Sequence, residues 1–221
     1  MTIGEAYTRF LMLVNRNATN NRIHVDKPRF ILLFNGVQNK FVEWSLDKRN
    51  EDSIRDIQKI LVQDFTLSLT DSNEDQDKFA LPTNYFDFSN ISAKAKNSCC
   101  DARRMTLYEV KSEDVEEKLA DKYSEPSFDW EESFYYLTQD SVSIYKKDFE
   151  IEEAKLTYYR YPVQVDIIGY TRLDNTASSN IDPEFDDKVV GRILLAMAVE
   201  HSANISDPNG YQMDKDRLFT I

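Results

Sequence analysis

The sequence predicts an α+β fold: a helical bundle built from N-terminal helices and a C-terminal helix, with an inserted antiparallel β region. Three observations lead there. Apolar residues recur at helical spacing near both ends of the 221-residue chain, the middle switches to a two-residue alternation, and no terminal helix can bury its apolar stripe without the others. The expected division is residues 1–63 for the N-terminal helices, 64–170 for the β region, and 171–221 for the C-terminal helix with an extended tail.

At the start, Thr2 and Glu5 form a capping-box pair, and Ile3, Ala6, Tyr7, Phe10, Leu11 and Val14 fall on one helical face. After a polar break at Asn15 to Asn21, Asp26 and Pro28 open a second helix, whose Phe30, Phe34, Val37, Phe41 and Trp44 form one stripe. Asn50 caps a third, with Glu51 and Asp52 in its first turn and Ile54, Ile57 and Leu61 facing inward.

The period then changes. Phe65, Leu67 and Leu69 alternate with polar residues, and the same rhythm returns in Met105 to Val110, Phe134 to Leu137, Val142 to Tyr145 and Ala154 to Tyr161. Short polar connections at Gln139-Asp140 and Lys146 to Asp148 favour antiparallel hairpins. Asp71 to Lys78 reads as a solvated loop, and acidic Ser112 to Asp121 as a short helix. The last helix is expected from Pro183 to about Ser202. Asp182 supplies the cap, Glu184, Asp186 and Asp187 favour the positive end of its dipole, and the run from Val189 to Val199 is apolar around most of its circumference.

Composition bounds the function. With 41% hydrophobic residues the chain can bury a substantial core, and its longest apolar run, Ile193 to Val199, is far short of a bilayer span of roughly 20 residues. The N-terminus lacks the order of a signal peptide, so a soluble, unexported protein is expected. A formal net charge of -12 disfavours broad binding to phosphate backbones and to anionic membranes. The two cysteines, Cys99 and Cys100, are adjacent and read as reduced thiols.

Signatures of catalysis are sparse. The five glycines are too far apart for a phosphate-cradling loop, and His24 and His201 lack zinc-site spacing. His201, near a helix C-terminus, reads as a residue that compensates the dipole. Asp166, Asp174, Asp182, Glu184, Asp186 and Asp187 are dense enough to suggest a divalent metal, although capping and dipole effects already account for the last four. In the strip Tyr158-Tyr159-Arg160-Tyr161, alternation gives Tyr158 and Arg160 one face, and Tyr159 and Tyr161 the other. One face can be core and the other a protein interface, where tyrosine and arginine are enriched.

Several segments follow one another in a set order: Leu81-Pro82-Thr83-Asn84-Tyr85, a central Cys, Glu109-Val110-Lys111, Pro126-Ser127-Phe128, Ser143-Ile144-Tyr145, Tyr159-Arg160-Tyr161-Pro162 followed by Gly169, Tyr170 and Arg172, the acidic run Asp182 to Asp187, and Asp207-Pro208-Asn209-Gly210-Tyr211. In this order, across roughly residues 79 to 212, the chain resembles the head-to-tail ring (adaptor) proteins of short-tailed bacteriophages, above all those of crAss-like phages. The resemblance implies a structural virion protein with neither active site nor cofactor: a subunit of the neck ring that joins portal to tail and lines or surrounds the DNA channel. Its partners would be copies of itself in a dodecameric ring, the portal protein, and other neck-ring or tail proteins. DNA would pass without specific binding, no membrane would be involved, and the protein would be made in the host cytoplasm and reside in the virion neck. Candidate interface residues are Tyr159, Tyr161, Tyr211, Met213, Leu218 and Phe219. Two other readings remain open: a small acidic metal-dependent hydrolase using the Asp166 to Asp187 carboxylates, and a monomeric protein-binding module.

Overall fold

The computed structural model describes residues 1–15, 24–98, 100–172 and 174–204, excepting the side chains of 48–52 and 204. Its elements run α1 (Ile3–Val14), α2 (Lys27–Leu46), a 3-10 helix (Lys48–Ile60), β1 (Leu61–Thr66), β2 (Ser68–Ser72), β3 (Gln76–Ala80), β4 (Tyr85–Asn97), β5 (Cys100–Glu109), a 3-10 turn (Ser112–Asp114), α3 (Val115–Ala120), β6 (Glu132–Leu137), β7 (Ser141–Tyr145), β8 (Glu150–Arg160) and α4 (Asp187–Asn204). The chain divides into two compact units, Met1–Ile60 with Pro162–Ile221, and Leu61–Tyr161.

The expected fold class, a helical bundle carrying a β insert, is overturned. Helix and strand each take 35% of the chain, and the architecture is dominated by a curled, mixed, eight-stranded sheet. In the first unit, α4 packs on α1 and α2, with Phe10, Phe30, Phe34, Ile193, Leu194 and Met197 fully buried. A four-helix bundle does not result, for two reasons. The third helical segment winds as a 3-10 helix, and α2 carries a polar stripe that holds irregular chain. Lys27 Nζ donates to the Ile168 carbonyl at 2.7 Å, Asn35 exchanges hydrogen bonds with the N–H and carbonyl of Val165 (2.9 and 3.2 Å), and Gln38 donates to the Val163 carbonyl at 3.0 Å. These positions share one helical face, so α2 completes the backbone hydrogen bonding of a segment that has no sheet partner of its own.

The Thr2–Glu5 capping box of α1 is present in both directions, at 3.3 and 2.9 Å. Asp26 occupies the N-cap of α2, with Pro28 in its first turn. Of the expected α2 stripe, Phe30, Phe34 and Val37 are buried, whereas Trp44 is half exposed and Val42 takes the inward place. The last helix starts at Asp187 and not at Pro183, and the Val190 N–H closes its first turn on the Asp186 carbonyl at 2.9 Å.

In the second unit the sheet order is β1-β8-β4-β5-β6-β7-β3-β2. Its two edges, β1 and β2, are separated in the chain by Leu67 alone. The strand through 61–72 therefore pairs with β8 in its first half and with β3 in its second, which curls the sheet around a core of Leu67, Ile91, Val142, Ile144, Leu156 and Tyr158. The expectation of purely antiparallel pairing fails at one place: β5 and β6 run parallel, Thr106 opposite Glu132 through Glu109 opposite Tyr135. The connection containing α3 supplies the crossover that a parallel pair requires. The Asp71 to Lys78 segment is a hairpin and not a loop, because buried Asp77 is neutralised by Lys146 at 2.6 Å.

Candidate functional site

The most organised polar cluster lies between Pro162 and Asp186, in the first unit. Asp166 is 4% exposed, yet both its oxygens are saturated. Oδ1 accepts from the Tyr170 hydroxyl at 2.6 Å and the Ile167 N–H at 2.9 Å; Oδ2 accepts from Arg172 Nε at 3.1 Å, Arg172 Nη2, and the Ser179 N–H at 2.8 Å. Burial alone would raise its pKa, but the donors from Tyr170, Ser179, Arg172 and Ile167 outweigh burial and hold it at about 2. Tyr170 is pushed up to about 12, first by burial and then by its bond to the carboxylate, so it remains a donor.

The backbone around this carboxylate is equally determined. Bridges join Asp166 to Ile181 and Thr171 to Ala177, and Ser178 Oγ accepts from the N–H groups of both Gly169 and Tyr170 at 3.0 Å. Gly169 sits at φ +113, where a Cβ would also come within 2.7 Å of Lys27 Nζ. Asp174 closes the tip, accepting from the N–H and hydroxyl of Thr176 at 3.0 and 2.6 Å. Chemically, Asp166 is an ionised anchor whose lone pairs are all engaged. It orders a loop, and its geometry leaves no position for a metal or a transferable proton.

The remaining acids of the run are dispersed over separate tasks. Asp182 Oδ1 accepts from the Ile3 N–H at 2.8 Å, Glu184 Oε1 accepts from the Val163 N–H at 2.7 Å, Asp186 pairs with Lys59, and Asp187 pairs with the Met1 amino group. Among the described residues, no three His, Cys, Asp or Glu side chains gather as metal ligands. Cys100 is half-buried at the start of β5, and Cys99 lies outside the described residues.

In the second unit, two of the segments that carry the resemblance meet. Asn84 Oδ1 accepts from the Tyr158 hydroxyl at 2.9 Å, the Asn84 carbonyl accepts from the Tyr161 N–H at 2.8 Å, and Phe86 stands edge-on to the Tyr161 ring at 4.8 Å. The turn Leu81 to Tyr85 therefore fixes the end of β8. Of the candidate interface residues, Tyr159 is 8% exposed and covered within the chain, while Tyr161 is 51% exposed. Tyr211, Met213, Leu218 and Phe219 lie outside the described residues. Sequence reasoning missed the most accessible aromatics among the described residues, Tyr123 at 96% and Trp130 at 80%. Both lie in the β5–β6 connection, where no periodicity distinguishes an exposed ring from a buried one.

His201 also departs from expectation. It is 1% exposed in the last turn of α4, its ring 6.0 Å from that of Phe10, and neither ring nitrogen has a hydrogen-bond partner among the described residues. Burial first, and the charge of Arg29 second, lower its pKa, the opposite of what a dipole-compensating cation would show. No helix among the described residues is long and apolar enough to cross a membrane. No protein-family model matches the chain, and no curated protein matches it.

Proposed function

We propose that this chain is a structural subunit of a phage neck ring, placed between portal and tail and surrounding the path of the DNA. One observation carries the reading beyond the order of the segments themselves: the residues that make up the resemblance are committed to shaping the chain. Asn84 holds Tyr158 and Tyr161, and Tyr170 and Arg172 hold Asp166. The exposed rings of Tyr123, Trp130 and Tyr161 suit contact with other proteins, where aromatic residues are enriched, and the net charge of -12 suits walls that repel DNA phosphates.

On this reading the isolated protein is mainly monomeric, because copies of charge -12 repel one another, and a portal templates the closed ring. Light scattering of the purified chain, with and without portal, tests it. A monomer that becomes a discrete larger complex only with portal is expected; a chain that ignores the portal refutes the reading. The hydrolase reading is separated by calorimetry with magnesium or manganese. Low-micromolar binding abolished by Asp186→Asn would favour it over a ring subunit.

A further inference from the structure

Within an acidic chain, one face of the second unit gathers three basic side chains, Lys94, Arg104 and Lys155, against two acids, Asp64 and Glu153. Ala93 and Ala95 of β4 point into the core, so Lys94 between them points outward. It stands directly opposite Arg104 on β5 and Glu153 on β8. Glu153 is shared between Lys94 (3.5 Å) and Lys155 (3.2 Å), and among the described residues Arg104 has no ion-pair partner. Asp64, Ser92, Lys94, Arg104, Glu153 and Lys155 border a depression of about 180 Å³. Like charges placed directly across a strand pair disfavour the sheet; Glu153 offsets Lys94 from the β8 side, which leaves Arg104 as the member of the cluster with no ion-pair partner among the described residues.

The same unit carries a complementary element. Glu113, Asp114, Glu116 and Glu117, on the 3-10 turn and α3, are all exposed, and none makes an ion pair among the described residues. Beneath them Val115 is buried with Val110 and Phe134, which fixes the helix and leaves its acids outward.

We propose that the Lys94–Arg104–Lys155 face receives the Glu113–Glu117 segment of a second copy of this chain. This rests on the ring reading for the identity of the partner, while the two surfaces are drawn from charge alone. A basic patch cannot complement itself, so every such contact joins two different patches, as head-to-tail assembly requires. DNA phosphate is the competing anion, and the overall charge of -12 disfavours it.

The test mixes isotopically labelled and unlabelled copies of the full chain, treats them with a carbodiimide that joins amines to carboxylates, and maps the cross-links by mass spectrometry. At about 0.1 M ionic strength, where the screening length is about 10 Å and the net repulsion between copies is largely screened, the reagent should trap transient labelled-to-unlabelled links from Lys94 and Lys155 to the Glu113–Glu117 acids, and at about 1 M salt they should fall severalfold. K94E/R104E should lose them, E116K/E117K should lose them from the other side, and mixing the two variants should restore intermolecular linkage between the substituted patches. Native-like circular dichroism and melting of each variant establish that folding is not the cause. Absence of these links, or links unchanged in both variants, overturns the proposal. So does retention of a DNA duplex that K94E/R104E abolishes while no such links form. Rings formed with portal but without these links overturn the contact and spare the ring reading. The links in a protein that stops at two subunits, or never closes on a portal, support the contact and count against the ring.

Discussion

The carboxylate of Asp182 accepts a hydrogen bond from the backbone N–H of Ile3 at 2.8 Å, across 179 positions of sequence. Ile3 is the first residue of α1, one of the helix N–H groups that has no intrahelical acceptor. A residue that the sequence assigns to the start of the last helix thus closes the start of the first.

Asp182→Ala should cost about 0.5 to 2 kcal/mol, the usual loss for a removed cap. The loss should appear as faster hydrogen exchange in the first turn of α1. If exchange there is unchanged while the start of α4 loosens, the assignment of this cap is wrong.

Leu194 and Phe34, 2% and 0% exposed, belong to one core although they come from opposite ends of the chain. Leu194→Ala should lower stability by about 2 to 5 kcal/mol through the cavity it leaves. Residues 28–44 should lose exchange protection along with α4. Retained protection of α2 in this variant would show that the two helices are not energetically coupled.

The pH dependence of the first unit should report on His201. Its folded-state pKa is depressed below the ordinary histidine value of 6.5, so between the two values the unfolded chain binds more protons and stability rises with pH. The contribution is complete above about 6.5, declines as pH falls below that, and is lost once the folded-state value is passed. His201→Leu should flatten this part of the urea stability profile, because the leucine has no charge to bury. An identical profile in wild type and variant would refute the assignment.

Asp166 carries the complementary, acidic sign. Its folded pKa of about 2 lies below the ordinary 3.8, so its contribution is present above about 4 and is lost as pH falls through about 2. Asp166→Asn, which keeps the shape but removes the charge facing Arg172, should cost about 2 to 3 kcal/mol at neutral pH. Proteolytic cleavage between Ile167 and Asn180 should rise in parallel. A variant as resistant as wild type would mean that the loop is held by its backbone bridges alone.

Much of the helical part was legible because its signals are local. Thr2 with Glu5, Pro28 at the start of α2, and the Phe30–Phe34 spacing each act within a turn of their own position. What escaped depended on partners distant in sequence. Asn35 and Gln38 look like solvent-facing residues until the irregular chain at 163–165 supplies groups to bond. Asp182 and Glu184 mimic a cap because acids and a proline favour helix starts, yet one closes α1 and the other holds Val163. The long strand β4 was missed because Ala93 and Ala95, small residues of weak strand preference, fill its inward positions against a curled sheet. The parallel β5–β6 pair was missed because a crossover leaves no mark on either strand. In the candidate site, Asp166 was noticed for its charge, but its five donors were not readable from spacing.

On the proposed reading this chain closes into a ring on a portal, which electron microscopy of portal particles with and without the purified protein can show or exclude. An added ring of density is expected on the tail-facing side of the portal, absent from portal alone and from this protein alone. Portal particles that stay unchanged in saturating protein, or closed rings that form equally well without any portal, would contradict it.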